Sequence, residues 1–295
     1  MNQRGLIFGF LAYLLWGFFP LYFKAIDTVP ALQILAHRFV WSFVLLVIVN
    51  LIRREWGQIS LLVRQKKIVG VYIIAGSLLA VNWGVYVWGV NSGHVVDASL
   101  GYFINPLLNV LLGVLFLRER LRWSQWVPVG LAAVGVLYMT LQYHKVPWIG
   151  LSLAFTFGLY GLVKKIAPLN SLQGLTMETM ALFLPAMAYL LLVNSRGEGM
   201  FAHSTLAVNV LLGFTGVITV IPLLLFGTAV RLIPLWMLGL LQYIAPTCQF
   251  LLGVLVYHEP FDQVRVVGFV LIWLALLLFS LESVYTNRQA VVVYK

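Results

Sequence analysis

The 295-residue chain is 62% hydrophobic and only 9% charged, and its mean hydropathy is +0.96. A soluble domain carries about a quarter charged residues, so this composition excludes a protein whose whole surface faces water and indicates one that lies in a membrane. The net charge of +10 would also fit a nucleic-acid-binding protein, but the positions of the basic residues argue against one.

A helix needs roughly 20 apolar residues to cross about 30 Å of hydrocarbon, and the sequence contains ten such stretches. In chain order, the first five are predicted at 5–23, 32–52, 68–91, 97–117 and 124–141. The second five are predicted at 148–163, 172–193, 206–230, 235–257 and 264–283. The sequence therefore predicts an all-α polytopic membrane protein with ten transmembrane helices.

The basic residues indicate how these spans are oriented. With the amino terminus in the cytoplasm, 14 of the 19 lysines and arginines fall in cytoplasmic segments, four fall in external segments, and Arg38 lies within a span. Cytoplasmic loops of membrane proteins carry such an excess. We therefore expect both termini to be cytoplasmic, and the basic charge to reflect topology and anionic lipid headgroups rather than nucleic acid.

An internal repeat emerges when the chain is shifted by 140 residues. Leu-Leu-Gly-Val-Leu at 111–115 recurs at 251–255, and three pairs of single residues also align: Pro106 with Pro246, Glu119 with Glu259, and Arg38 with Glu178. Because each half has an odd number of spans, the second half must enter the membrane the opposite way up. The predicted domains are two inverted five-helix repeats, 1–145 and 146–285, and a cytoplasmic tail, 286–295. Inverted repeats are typical of secondary transporters, which bind solutes near the membrane midplane.

Motifs for catalysis and metal binding are absent from the sequence. The chain has one cysteine, Cys248, and no zinc-ligand spacing, nucleotide-binding glycine loop, metalloprotease motif or serine-hydrolase motif. We therefore expect no metal, no cofactor, no built-in ATPase and no enzymatic activity. A channel, or a membrane-embedded sensor or enzyme without a recognisable motif, stays open as the alternative to a transporter.

Two charged residues are predicted to lie well inside their spans, Arg38 and Glu178. A charge there is costly unless it faces a cavity or a polar partner. Because the repeats are inverted, Arg38 should approach from the external side and Glu178 from the cytoplasmic side, so we do not expect the two to pair. Arg38 would orient anionic groups or hold a gate, and Glu178 would attract cations or carry a coupling proton. The alternative is that both side chains extend to the nearer interface.

Polar and aromatic residues within the spans are the other candidates for a solute site. They are Trp16, Asn82, Trp83, Tyr86, Tyr102, Asn105, Tyr160, Gln242 and Tyr243. Pro106 and Pro246 should kink the fourth and ninth spans and free backbone carbonyls at mid-depth. The alternative is that these polar groups serve only to bond one helix to the next.

The order and spacing of these motifs resemble the EamA branch of the drug/metabolite transporter superfamily. The paired signatures are Asn105-Pro106 and Ala245-Pro246, each followed by Leu-Leu-Gly-Val-Leu and a glutamate. Within that branch, four motifs of the chain resemble the RarD proteins of bacteria: His37-Arg38-x-x-Trp41-Ser42, Gly101-Tyr102-Phe103-Ile104-Asn105-Pro106, Asn82-Trp83, and Glu178 with Pro185. The resemblance runs from about residue 5 to residue 283.

This resemblance implies a permease of the cell inner membrane that exports small organic solutes, metabolites or drugs. A proton or another gradient would drive the transport, and the RarD label is linked to chloramphenicol susceptibility. Its partners would be a small-molecule substrate, the lipid bilayer and, as open questions, a coupling proton and a second copy in a homo-oligomer.

Overall fold

The computed structural model describes residues 2–92, 95–142, 148–257 and 263–293, and the regular elements within these ranges are all α-helices. In chain order they are α1 (Gln3–Gly17), α2 (Phe19–Lys24), α3 (Ala31–Ile52), α4 (Trp56–Leu62), α5 (Lys66–Asn91), α6 (Val95–Phe116), α7 (Trp123–Gln142), α8 (Trp148–Ile166), α9 (Ser171–Ser195), α10 (Leu206–Leu232), α11 (Leu235–Gln242), α12 (Ile244–Leu255) and α13 (Gln263–Val293).

The described residues contain eight helical segments that are long and apolar enough to cross a membrane. Two shorter apolar stretches, Gly101–Phe116 and Val266–Phe279, lie in α6 and α13. The chain is therefore an all-helical polytopic membrane protein, as its composition predicts.

Two predicted spans are each divided into two helices shortly before a proline. α1 and α2 are separated at Phe18, before Pro20, and α11 and α12 are separated at Tyr243, before Pro246. A proline cannot donate the backbone hydrogen bond to the preceding turn, and its ring clashes with that turn, which accounts for both breaks. Pro106, in contrast, lies inside the continuous helix α6.

Two helical regions extend beyond the predicted spans. The short helix α4 follows α3, and α13 runs on to Val293. The segment predicted as a cytoplasmic tail at 286–295 is therefore helical through Val293, as a continuation of the last apolar helix. With seven residues, α4 is too short to cross the hydrocarbon layer.

Helix packing follows the 140-residue shift. α1 packs on α10 as α8 packs on α5, and α3 packs on α10 as α9 packs on α5. The 140-residue shift relates α1 to α8, α3 to α9 and α5 to α10, so each of these packed pairs has a counterpart elsewhere in the chain. α3 also packs on α9, α6 on α11, and α7 on α13, and in these pairs the shift exchanges the two partners.

Glycines allow the helix backbones around the centre to come into direct contact. A Cβ atom on Gly216 would lie 2.5 Å from the carbonyl carbon of Trp41, so α10 lies against the backbone of α3. A Cβ atom on Gly239 would lie 2.6 Å from the carbonyl oxygen of Pro106, so α11 lies against α6 in the same way. Small residues permit such approaches in membranes, and these two contacts bring side chains of both halves to one central region.

Candidate solute-binding site

A cavity of about 240 Å³, here called the Arg38 cavity, lies in this central region and is lined by residues of both halves of the chain. Eight of the eleven side chains that the sequence predicted at a solute site line this cavity: Trp16, Arg38, Asn82, Trp83, Tyr86, Tyr102, Asn105 and Gln242. Pro246 lines it as well. Pro106, Tyr160, Glu178 and Tyr243 are not among the lining residues.

Arg38 is the charged residue among those that line the cavity. Its Nε donates a 3.0 Å hydrogen bond to Thr219 Oγ1, which α10 brings to α3. The guanidinium carbon lies 3.7 Å from the ring centroid of Trp83, 5.5 Å from that of Phe23 and 5.8 Å from that of Phe19. Aromatic faces attract a cation by about 0.5–2 kcal/mol. None of the three ion pairs between described residues includes Arg38.

Side-chain amides tie the walls of the cavity together. Asn82 in α5 and Asn105 in α6 each donate an amide hydrogen to a backbone carbonyl of α8, at 2.8 and 2.7 Å. Asn109 donates to Oδ1 of Asn105 at 3.0 Å and to Oε1 of Gln242 at 2.9 Å. These bonds fix the amide groups, so the polar positions of the cavity are held in place before any solute binds.

Four aromatic residues that were not predicted from the sequence also line the cavity: Tyr13, Phe19, Phe23 and Phe157. Phe19 and Phe23 are four residues apart on one helix face, with ring centroids 5.5 Å apart, and this spacing is a signal that could have identified them. Tyr13 and Phe157 carry no such signal, because each lies in an apolar helix whose packing partner is set by the tertiary fold.

Glu178 lies away from the cavity, in a buried ion pair. Lys164 Nζ in α8 donates to Glu178 Oε1 in α9 at 2.7 Å, and the Tyr160 hydroxyl donates to Oε2 at 3.1 Å. Glu178 is 0% exposed and Lys164 is 4% exposed. The expectation that Arg38 and Glu178 would not pair with each other agrees with this arrangement, in which Glu178 is satisfied by a lysine of its own half.

A continuous cluster of aromatic rings connects the cavity with this ion pair. The Trp16 and Phe157 rings line the cavity and lie 5.8 Å apart, and Phe157 lies 5.8 Å from Tyr160, which bonds to Glu178. Phe226 packs against all three rings at 5.4–5.9 Å. Aromatic rings therefore form a chain of contacts from the cavity lining to the ion pair.

Tyr243 has a packing position. Its hydroxyl donates to the carbonyl oxygen of Phe103 at 3.2 Å, and the residue is 0% exposed.

Among the described residues, no group of three or more His, Cys, Asp or Glu side chains could hold a metal ion. The polar chemistry of the cavity lining therefore consists of one guanidinium, side-chain amides, and tyrosine and tryptophan side chains.

Comparisons with known proteins agree with this architecture. The sequence model of the EamA-like transporter family matches residues 3–141. The chain is 46% identical to "Protein RarD" of Streptomyces exfoliatus, over 98% of this chain and 92% of that protein. It is 44% identical to "Uncharacterized transporter YojE" of Bacillus subtilis, over 98% and 97% of the two chains. A solved crystal structure with 17% identity superposes with a TM-score of 0.72, covering 95% of this chain and 99% of the other, which shows a shared fold.

Proposed function

The chain belongs to the RarD-type branch of the EamA-like transporter family, and from this premise we propose that it is a secondary transporter that carries small organic solutes through the Arg38 cavity by alternating access. Membership makes it a membrane transporter of the drug/metabolite type. The observation that carries the finer proposal is the cavity itself, which lies between membrane-spanning helices of both halves and is lined by a guanidinium, amides and aromatic rings. Solute sites of secondary transporters lie at such an interface between repeats.

The proposal includes ten spans arranged as two inverted repeats, 1–145 and 146–285. The helix pairs related by the 140-residue shift support it, and so does the hydrogen bond between Tyr243 and Phe103, two residues that are 140 positions apart. Residues related by a two-fold axis can touch only close to that axis. This contact therefore fits a pseudo-two-fold axis between α6 and the break of α11 and α12.

The orientation and the driving force are also part of the proposal. The excess of lysine and arginine in alternate loops supports cytoplasmic termini and an inner-membrane location. Export is proposed by analogy with the wider family, and a proton gradient is proposed because Glu178 is a carboxylate held within the membrane-spanning region next to rings that reach the cavity. Intramembrane carboxylates of this kind serve as proton relays in many transporters.

Cysteine accessibility tests alternating access without a known solute. The sole natural cysteine, Cys248, would be replaced by alanine. Tyr86→Cys would then be treated with a membrane-impermeant maleimide in right-side-out and in inside-out vesicles. We expect labelling from both sides, because the cavity opens to each side in turn. Leu184→Cys is the control, because Leu184 is 73% exposed on the outside of the bundle and should face lipid.

The outcomes separate the alternatives. Labelling of Tyr86→Cys from one side only would contradict alternating access and favour a sensor or enzyme. Unitary currents of the purified protein in planar bilayers would favour a channel. Labelling from both sides without such currents supports a carrier.

A further inference from the structure

We infer that the solute of the Arg38 cavity is a small organic monoanion, with one carboxylate or sulfonate group, no ammonium group and a flat apolar body. This inference rests on the proposed function, in that it takes the cavity to be the solute site, and it names the chemical class that the cavity recognises. Four properties of the lining carry it: an unpaired cation, unused hydrogen-bond donors, aromatic walls and a limited volume.

The unpaired cation is Arg38. Its Nε is bonded to Thr219, but neither Nη1 nor Nη2 has a hydrogen-bond or ion-pair partner among the described residues. A guanidinium presents its nitrogens as a planar fork that matches the two oxygens of a carboxylate. A charge at this position in a membrane protein is costly unless it is compensated. The aromatic rings compensate this charge in part, and an anionic solute would supply the counterion that the described residues do not.

The charge count of the lining limits the solute further. Arg38 is the charged side chain among the described residues that line the cavity. A single negative charge is therefore matched, whereas a second one would be unpaired. With no carboxylate among the described lining residues, a solute ammonium group would find no counterion there and would be repelled by Arg38. The lining therefore disfavours cations and zwitterions.

A second polar group is left available for a ligand. Tyr13 lines the cavity, is 1% exposed, and its hydroxyl has no hydrogen-bond partner among the described residues. The hydroxyl oxygen is itself enclosed by protein, so a solute reaches it only when the surrounding side chains shift. Buried polar atoms are satisfied in most native structures, and a solute oxygen would supply the missing partner. A phenol can donate to an anionic oxygen or accept from a polar substituent.

The rest of the lining describes the body of the solute. Trp16, Tyr86, Tyr102 and Phe157 also line the cavity, and aromatic side chains bind flat apolar groups by offset or edge-to-face contacts. The volume of about 240 Å³ lies just below the usual range for ligand pockets, which favours a small solute such as a single ring with a short acidic side chain.

Four probes that share one phenyl body test the inference: 3-phenylpropanoate, its neutral amide, the cationic 3-phenylpropylamine and the zwitterion phenylalanine. Binding to the purified full-length protein would be measured by calorimetry and by ligand-dependent unfolding temperature, which rises with bound ligand. We expect 3-phenylpropanoate to bind, the other three to bind at least about tenfold more weakly, and 2-phenylethanesulfonate to replace the carboxylate. Arg38→Gln should weaken binding of the two anions by about tenfold to a hundredfold, the range for hydrogen bonds to a charged group.

The variants separate a ligand-binding role of Arg38 from a structural one. Arg38→Lys keeps the charge but loses the fork, and should give intermediate affinity. Without ligand, Arg38→Gln should change the unfolding temperature little, because removal of an intramembrane charge offsets the lost bond to Thr219 and the lost contact with Trp83. Tyr13→Phe should weaken anion binding and leave the unfolding temperature unchanged. Arg196→Gln is the matched control, because Arg196 is exposed outside the cavity, and it should bind like the wild type.

Three results would overturn the inference: equal or tighter binding of the amide, the amine or the zwitterion; anion binding that survives Arg38→Gln; and no binding of any probe at millimolar concentration. None of these would touch the proposed function, which fails on the one-sided labelling of Tyr86→Cys instead. Two-sided labelling together with binding of a neutral probe would leave a transporter whose solute is not an anion.

Discussion

Lys164 and Glu178 form a buried ion pair, with Nζ 2.7 Å from Oε1. The 140-residue shift relates this pair to Lys24 and Arg38, where the glutamate has become a second cation. Lys24 lies 5.8 Å from the ring centroid of Tyr257 and makes no ion pair with a described residue. One half of the chain therefore neutralises its intramembrane charge internally, and the other half leaves Arg38 at the cavity.

Breaking the Lys164–Glu178 pair should destabilise the protein strongly. We expect Glu178→Gln and Lys164→Met each to lower the free energy of unfolding by about 3–5 kcal/mol, because each leaves one buried partner unpaired. The double variant should recover much of that loss. Unfolding in mixed detergent micelles measures all three. The control is Arg53→Gln, which removes an exposed ion pair with Glu55 and should lower the free energy of unfolding by less than about 1 kcal/mol. An equal loss of stability in this control and in the variants of the buried pair would contradict the prediction.

The proposed coupling role of Glu178 has a separate functional test. In proteoliposomes, 2-phenylethanesulfonate is permanently ionised and does not leak as a neutral acid. Wild-type protein should accumulate it when a pH gradient is imposed and should also exchange it by counterflow. Glu178→Gln should lose gradient-driven accumulation while counterflow continues, because exchange needs no net proton movement. Equal gradient-driven accumulation by the variant across the pH range would show that Glu178 carries no coupling proton.

Glu119 should stabilise α11 from the other half of the chain. Its two carboxylate oxygens accept from the backbone N–H groups of Leu235 and Trp236, at 2.8 and 3.1 Å, which are unsatisfied donors of the first helical turn. Pro234, the residue before α11, provides no side-chain cap. Glu119→Ala should lower the free energy of unfolding by about 1 kcal/mol, as loss of a helix cap does.

Gly113 makes room for this carboxylate, because a Cβ atom there would clash with Glu119 Oε2. We therefore expect Gly113→Ala to lower the free energy of unfolding of the wild type by as much as Glu119→Ala does, and to lower it little when Glu119 is already alanine. Gly130→Ala is the control, since no heavy atom lies within 4 Å of the position that its Cβ atom would take. Full additivity of the two substitutions would refute the contact.

Tyr243 and Tyr102 should respond differently to loss of the hydroxyl. Tyr243→Phe removes the hydrogen bond to the Phe103 carbonyl, and should lower the free energy of unfolding by about 1 kcal/mol without changing binding of 3-phenylpropanoate. Tyr102→Phe alters a residue that lines the cavity, and should change binding instead. Thermal unfolding and calorimetry on the same samples distinguish the two effects, and a binding defect in Tyr243→Phe would place that residue in the site after all.

The helical architecture could be predicted because it depends on local composition. Each apolar stretch must satisfy its backbone hydrogen bonds within itself to cross a membrane, so hydropathy alone predicts where helices run. The breaks before Pro20 and Pro246 follow from proline chemistry at those positions. The helix α4 did not follow, because a helix of seven residues lacks the length signal on which the span prediction depends.

The sequence by itself determined the membrane location, the all-helical class and most of the polar residues of the cavity, because a polar side chain in an apolar span is conspicuous wherever it points. Only the tertiary structure decided which of these residues meet. It paired Glu178 with Lys164, gave Tyr243 a packing role and brought Tyr13 and Phe157 to the cavity. The physical reason is that a helix face acquires its neighbours from packing, and the backbone contacts at glycines that set this packing join residues far apart in the chain.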